Sequence, residues 1–212
     1  MPAKTDNIFW LGHDSFRVDG SRVIYFDPWE ITGPQADLIF ISHDHYDHCD
    51  PDTVKSLSGP KTRVITEKSS AAKLKEAGYN NPVTIMEPGD AIEVCGITIQ
   101  AVASHNIGKN FHPQEKKNLG FVVTMDGVSI YHAGDSDFIP EMAEVKAQVA
   151  LLPVSGTYVM TAEEAVQAAL AINPEVAIPM HFGKIVGDEE MARKFAENLK
   201  GKVTVEIKSI TK

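Results

Sequence analysis

Cysteine is scarce in this chain. Among 212 residues there are two, Cys49 and Cys95, too few for a disulfide framework. Long apolar runs are absent as well, and no stretch reaches the ~18 residues of a membrane span. Met1 to Asp6 have no apolar segment behind them, so no signal peptide is predicted. The cytoplasm is the simplest expected compartment, with no membrane partner. Positive charge is also short: 20 Lys and Arg against 29 Asp and Glu give a net charge of -9. That disfavours nucleic acid as a partner, because such affinity comes mostly from neutralised phosphates. A small anionic substrate held by a few local cations stays compatible. Low-complexity tracts, linkers and short repeats are missing too. The length is ample for one domain with a sizeable core, spanning 1–212.

Histidine, by contrast, is concentrated. Three of the eight fall within six positions, in Ser42-His43-Asp44-His45-Tyr46-Asp47-His48. The pattern H-x-H-x-D-H follows an apolar run, Leu38 to Ile41, that reads as a buried strand. It precedes Asp50-Pro51, a helix-start signal. The cluster therefore sits on a loop between a strand end and a helix start. In extended backbone alternate side chains point the same way, so His43 and His45 can share one metal. Asp47 and His48 can face a second where the chain turns. Imidazole and carboxylate suit zinc, and also manganese or iron.

Along the chain, Ile8 to Leu11 reads as a first strand. A hairpin turns at Asp19-Gly20, and another at Asp126-Gly127. Helices are expected over Pro51–Leu57 and Ser70–Ala77. A third follows the capping box Thr161-Ala162-Glu163-Glu164, and a fourth follows Asp188, with Met191, Phe195 and Leu199 on one face. Strands dominate the middle, and Val203 to Ile207 should be the last. The order predicts an α/β (α+β) fold of packed sheets with helices outside.

Three more candidate ligands each follow a buried strand: His105, Asp135 and His181. Asp135, with two oxygens, is the natural bridge between two cations, and Gly134 beside it permits close backbone approach. The whole set resembles the metallo-β-lactamase-fold superfamily of hydrolases. Gly12-His13-Asp14-Ser15-Phe16, Ala133-Gly134-Asp135-Ser136 and Ile178-Pro179-Met180-His181-Phe182-Gly183 resemble the small bacterial and archaeal group related to ascorbate-6-phosphate lactonase.

That resemblance implies a four-layer αββα sandwich and two divalent metal ions, zinc foremost. It implies His43, His45 and His105 on the first metal, Asp47, His48 and His181 on the second, and Asp135 between them. A hydroxide shared by the metals would cleave a small ester, lactone or phosphoester. Asp47 would orient it, and His13, near the site mouth, would be a catalytic or structural neighbour. Asp27 is expected to brace a ligating histidine. The polar loop Lys109 to Lys117 could hold an anionic group. Competing readings are a one-iron persulfide dioxygenase, a nuclease of the same fold, and a non-catalytic module. A homo-oligomer is compatible with the sequence.

Overall fold

A computed structural model describes residues 3–211. The first sheet runs in chain order: β1 (Ile8–Gly12), β2 (Ser15–Asp19), β3 (Val23–Phe26), β4 (Ala36–Ile41), β5 (Ser58–Thr66) and β6 (Val83–Ile85). Helices α1 (Pro51–Leu57) and α2 (Lys68–Glu76) belong to this half. The second sheet contains β7 (Ala91–Val94), β8 (Ile97–Ala103), β9 (Leu119–Met125), β10 (Val128–His132), β11 (Val149–Pro153), β12 (Val176–Met180) and β13 (Thr204–Val205). Its spatial order is β13-β12-β11-β10-β9-β8-β7. Helices α3 (Ala162–Ile172) and α4 (Glu189–Leu199) complete the chain.

Two apolar clusters make four layers of these elements. Side chains alternate along a strand, so β3 and β4 are buried on both faces. Phe26, Leu38 and Phe40 point between the sheets, where Phe40 meets Phe121 at 5.3 Å. Tyr25, Ile39 and Ile41 point outward, onto Val54 and Leu57 of α1 and Leu74 of α2. On the other side, Ala165 and Ala169 of α3 and Phe195 and Leu199 of α4 close the second sheet. The αββα sandwich is therefore present.

The sequence signals for α1, α3 and α4 hold. Asp50 caps α1, Thr161 and Glu164 form the capping box of α3, and Asp188 caps α4. Helix α2 begins two residues earlier than expected. The Glu67 carboxylate accepts from the backbone N–H of Ser69 and Ser70, so it serves as the cap in place of a smaller polar residue. The last strand is shorter than the apolar pattern suggested. Past Val205 the Glu206 side chain turns to Thr5 (2.7 and 2.8 Å), and the tail crosses to β1, where Thr211 N donates to Trp10 O. Among the described residues, no helix is long and apolar enough to cross a membrane.

Strand direction positions the site. β3, β4 and β5 are mutually parallel, and β1 runs the same way because two antiparallel steps separate it from β3. By the same count β8 runs with β10, β11 and β12. The carboxyl ends of these strands gather at one edge of each sheet. Bonds between the halves hold the edges together: Leu119 N to Ser42 O, His181 N to His13 O, and His132 Nε2 to Asp14 O.

Candidate metal centre

Six strands of the two sheets deliver polar residues to that edge. β1 is followed by His13 and Asp14, β3 by Asp27, β4 by the Ser42–His48 loop, β10 by Asp135, β11 by Ser155 and β12 by His181. Two groups of side chains result, and within each the donor atoms lie within 4.8 Å of one another. One is His43, His45, His112 and Asp135; the other is His13, Asp14, His48 and His181.

Asp135 joins the groups. Its Oδ2 lies 3.3 Å from His112 Nε2 and 3.9 Å from His43 Nε2. Its Oδ1 lies 3.4 Å from both His48 Nε2 and His181 Nε2. His45 Nδ1 stands 3.0 Å from the Nε2 atoms of both His43 and His112. Gly134 makes this approach possible: at φ +61°, a Cβ there would come within 2.9 Å of Ser42 Cβ and 3.0 Å of Leu119 O.

Outer partners set the imidazole tautomers. His48 Nδ1 meets Asp27 Oδ2 at 2.8 Å, and His112 Nδ1 meets Tyr158 O at 3.2 Å. A carboxylate or carbonyl can only accept, so each Nδ1 donates and Nε2 is turned inward. His43 and His181 place Nδ1 on the hydroxyls of Ser42 and Ser155, both at 2.8 Å, with Nε2 again inward. Asp27 is itself fixed by Ser42 N and Oγ (2.7 and 2.6 Å). Imidazoles braced this way are the usual arrangement around a bound metal.

Several of these atoms are buried and have no hydrogen-bond partner among the described residues: His48 Nε2, Asp135 Oδ1 and both oxygens of Asp14. Buried polar atoms left without hydrogen bonds are unfavourable unless something else satisfies them. A divalent cation among these atoms would satisfy them, so the residues fit a metal centre. The local electrostatics show the same tension. Burial pushes the Asp14 carboxyl well above the usual range. Burial also opposes ionisation of Asp135, but His48 and His181 outweigh it and hold the carboxyl well below that range. Burial lowers His43. It opposes protonation of His181 too, yet Asp135 and Asp14 raise that pKa to about 9.

Backbone strain gathers here as well. His13, Asp27, His112, Tyr158 and His181 all have φ between 40° and 67°, a region costly for residues with a Cβ and concentrated at functional sites.

Known proteins resemble this chain in sequence and fold. Residues 7–181 match the family described as the beta-lactamase superfamily domain. A UPF0173 metal-dependent hydrolase of Thermoplasma acidophilum is 35% identical over 190 residues, 82% of each chain. The chain belongs to the β-lactamase superfamily, among the UPF0173 metal-dependent hydrolases. A crystal structure of a metal-dependent hydrolase assignment from Parabacteroides distasonis superposes with TM-score 0.84 at 29% identity, covering 96% of this chain and 93% of that one. Igni18, a metallo hydrolase from Ignicoccus hospitalis, gives 0.76 at 22% identity over 97% and 95% of the two chains, a likeness of fold.

Within this superfamily member, the sequence-predicted residues divide. His43, His45, His48, His181 and Asp135 converge. Asp47 stands at the rim of the second group, with Oδ2 3.8 Å from His48 Nε2 and 3.1 Å from His13 Nε2. His105 joins neither group. Its side chain borders a separate cavity of about 610 Å³ with Gln100, Glu141 and Glu144. His112 occupies the position expected of it, and Asp14 enters the second group. His112 lies in an irregular loop, seven positions past His105, with no apolar strand before it to mark it. Asn106 N bonds to His112 O at 2.8 Å, and that fold-back places His112 while His105 turns away. The sequence signal for Asp14 was its place beside His13 after β1. Lys109 is bound to the Asp137 carboxylate and to Val159 O, and Lys117 forms an exposed pair with Glu87.

Proposed function

We propose that this protein is a dinuclear metal-dependent hydrolase of a small ester, lactone or phosphoester. His43, His45, His112 and Asp135 would hold one cation. His48, His181 and Asp14, with Asp135 and Asp47 at the rim, would hold the other. The observation that carries this reading is Asp135, whose two oxygens each face a different pair of imidazole nitrogens. Zinc suits this nitrogen and oxygen set, as do manganese and iron.

When bound, a pair of divalent cations supplies hydroxide near neutral pH and electrostatic stabilisation of a developing oxyanion. The protein's own side chains supply position. Asp47 is the most open carboxylate of the centre, at 14% side-chain exposure against 4% for Asp135 and 0% for Asp14. Burial works against its ionisation, but the His13 hydrogen bond and nearby His48 outweigh it and set the pKa at about 2. Asp47 is therefore an acceptor at any working pH, suited to hold the hydrogen of an attacking water. Burial lowers His13, which stays neutral and donates Nε2–H to Asp47. His13 acts as a positioning residue for Asp47.

The test is elemental mass spectrometry on protein purified without added metal or affinity tag. About two zinc or manganese ions per chain are expected, with hydrolysis of at least one lactone, ester or phosphoester in a screen. A single iron, with oxygen uptake on adding a persulfide, would move the assignment to a dioxygenase. Protein that takes up no metal on dialysis against zinc or manganese would overturn the proposal.

A further inference from the structure

The mouth of the centre carries aromatic side chains that the fold does not use. Phe111 and Tyr158 are 47% and 43% exposed, and neither packs into either core. They contact each other edge to face, with ring centroids 4.6 Å apart. Phe111 lies 6.5 Å from the His45 ring and 6.3 Å from the His112 ring. Between the turns 108–111 and 156–158 is an open cleft of about 400 Å³, within the range of small-molecule sites.

This pair is also built in. Tyr158 adopts φ 67°, an uncommon and strained conformation for an aromatic residue. Its carbonyl accepts from His112 Nδ1 and from Asn106 Nδ2, at 3.2 and 2.5 Å. The turn that orients a metal-facing histidine thus also turns an aromatic ring outward beside it. Lys109, the cation lining the cleft, is neutralised by Asp137.

We propose that the cleft receives an uncharged apolar group of the substrate, an aryl ring or acyl chain attached to the carbonyl carbon whose bond to the leaving oxygen is cleaved. This rests on the reading of the centre as hydrolytic, and it narrows that reading from anionic phosphoesters to apolar esters and lactones. Stacking and burial against Phe111 and Tyr158 supply the affinity, and their distance from His45 and His112 places the carbonyl end at the centre.

Two zinc-chelating probes of equal headgroup test it without reference to turnover. Acetohydroxamate and benzohydroxamate are titrated calorimetrically into zinc-loaded protein. Benzohydroxamate should bind at least about tenfold more tightly, or 1.4 kcal/mol. Phe111→Ala should shrink the ratio, and Phe111→Ala with Tyr158→Ala should bring it near unity at unchanged zinc content. Equal affinities in the native protein, no binding of either probe, or a preference that survives in a zinc-loaded double variant would overturn the inference. Failure to load zinc at all would instead overturn the hydrolase reading beneath it.

Discussion

The two polar side-chain groups lie side by side yet are built differently. His13, Asp14, His48 and His181 are all buried, and each directly follows a strand or lies in the loop braced by Asp27. His43, His45, His112 and Asp135 include the half-buried His45 and a histidine from a long irregular loop. The buried group is defined by sheet edges, the other is completed by a loop. The buried group holds the unpartnered Asp14 and His48 atoms and so gains most from a cation. The open group borders Phe111 and the cleft, so it is the side from which a substrate would arrive. Burial sets the strength of a metal site, and loop geometry sets access to it.

The largest expected effect comes from breaking the link between the groups. Asp135→Asn should lower metal content from about two to less than one per chain. It should lower hydrolysis by more than the ~100-fold that loss of an outer partner typically costs. Two metals retained in this variant would mean that the groups bind independently.

Next in size is the contrast between His112 and His105. His112→Ala should remove about one metal per chain, whereas His105→Ala should leave metal content unchanged. The reverse result would restore the assignment drawn from the order of residues. Asp27→Asn should act more on the buried group, weakening its metal affinity by about 10–100-fold, because Asp27 meets His48 Nδ1 directly and His43 only through Ser42. Competition with a chelator of known affinity reads this directly, and an equal effect on both sites would contradict the asymmetry.

The smallest effect is one of pH. His181 has a folded-state pKa raised from 6.5 to about 9. A raised pKa contributes stability that is complete below the unfolded value and is lost as pH rises through the folded one. Thermal stability of chelator-treated protein should fall between about pH 6.5 and 9. Zinc-loaded protein should not show this fall, because the nitrogen then carries metal in place of a proton. Matching pH profiles in the two forms would show that His181 stays outside the loaded centre.

Much of this was legible beforehand for identifiable reasons. Alternating or continuous apolar runs mark strands because the strand period is two. Caps mark helices because their first N–H groups lack internal partners. Asp50-Pro51, Thr161 with Glu164, and Asp188 were therefore readable, whereas Glu67, a longer side chain folding back on two backbone amides, was not. H-x-H-x-D-H was readable since its residues are neighbours in sequence. His105 looked equivalent to them because it follows a strand, but nothing local shows that the chain past it folds back through Asn106.

The sequence by itself determined the class of fold, the loop that carries the clustered histidines, and the carboxylate that faces both groups. Those features depend on spacing within a few residues and on the backbone periods that fix where side chains point. Only the tertiary structure decided that His112, not His105, completes the first group, that Asp14 enters the second, and that Lys109 is already neutralised. Each depends on which distant segments meet at the shared edge of two sheets: Asn106 with Tyr158, Asp14 with His48, and Lys109 with Asp137. Packing of the whole chain, rather than any local preference, brings those partners together.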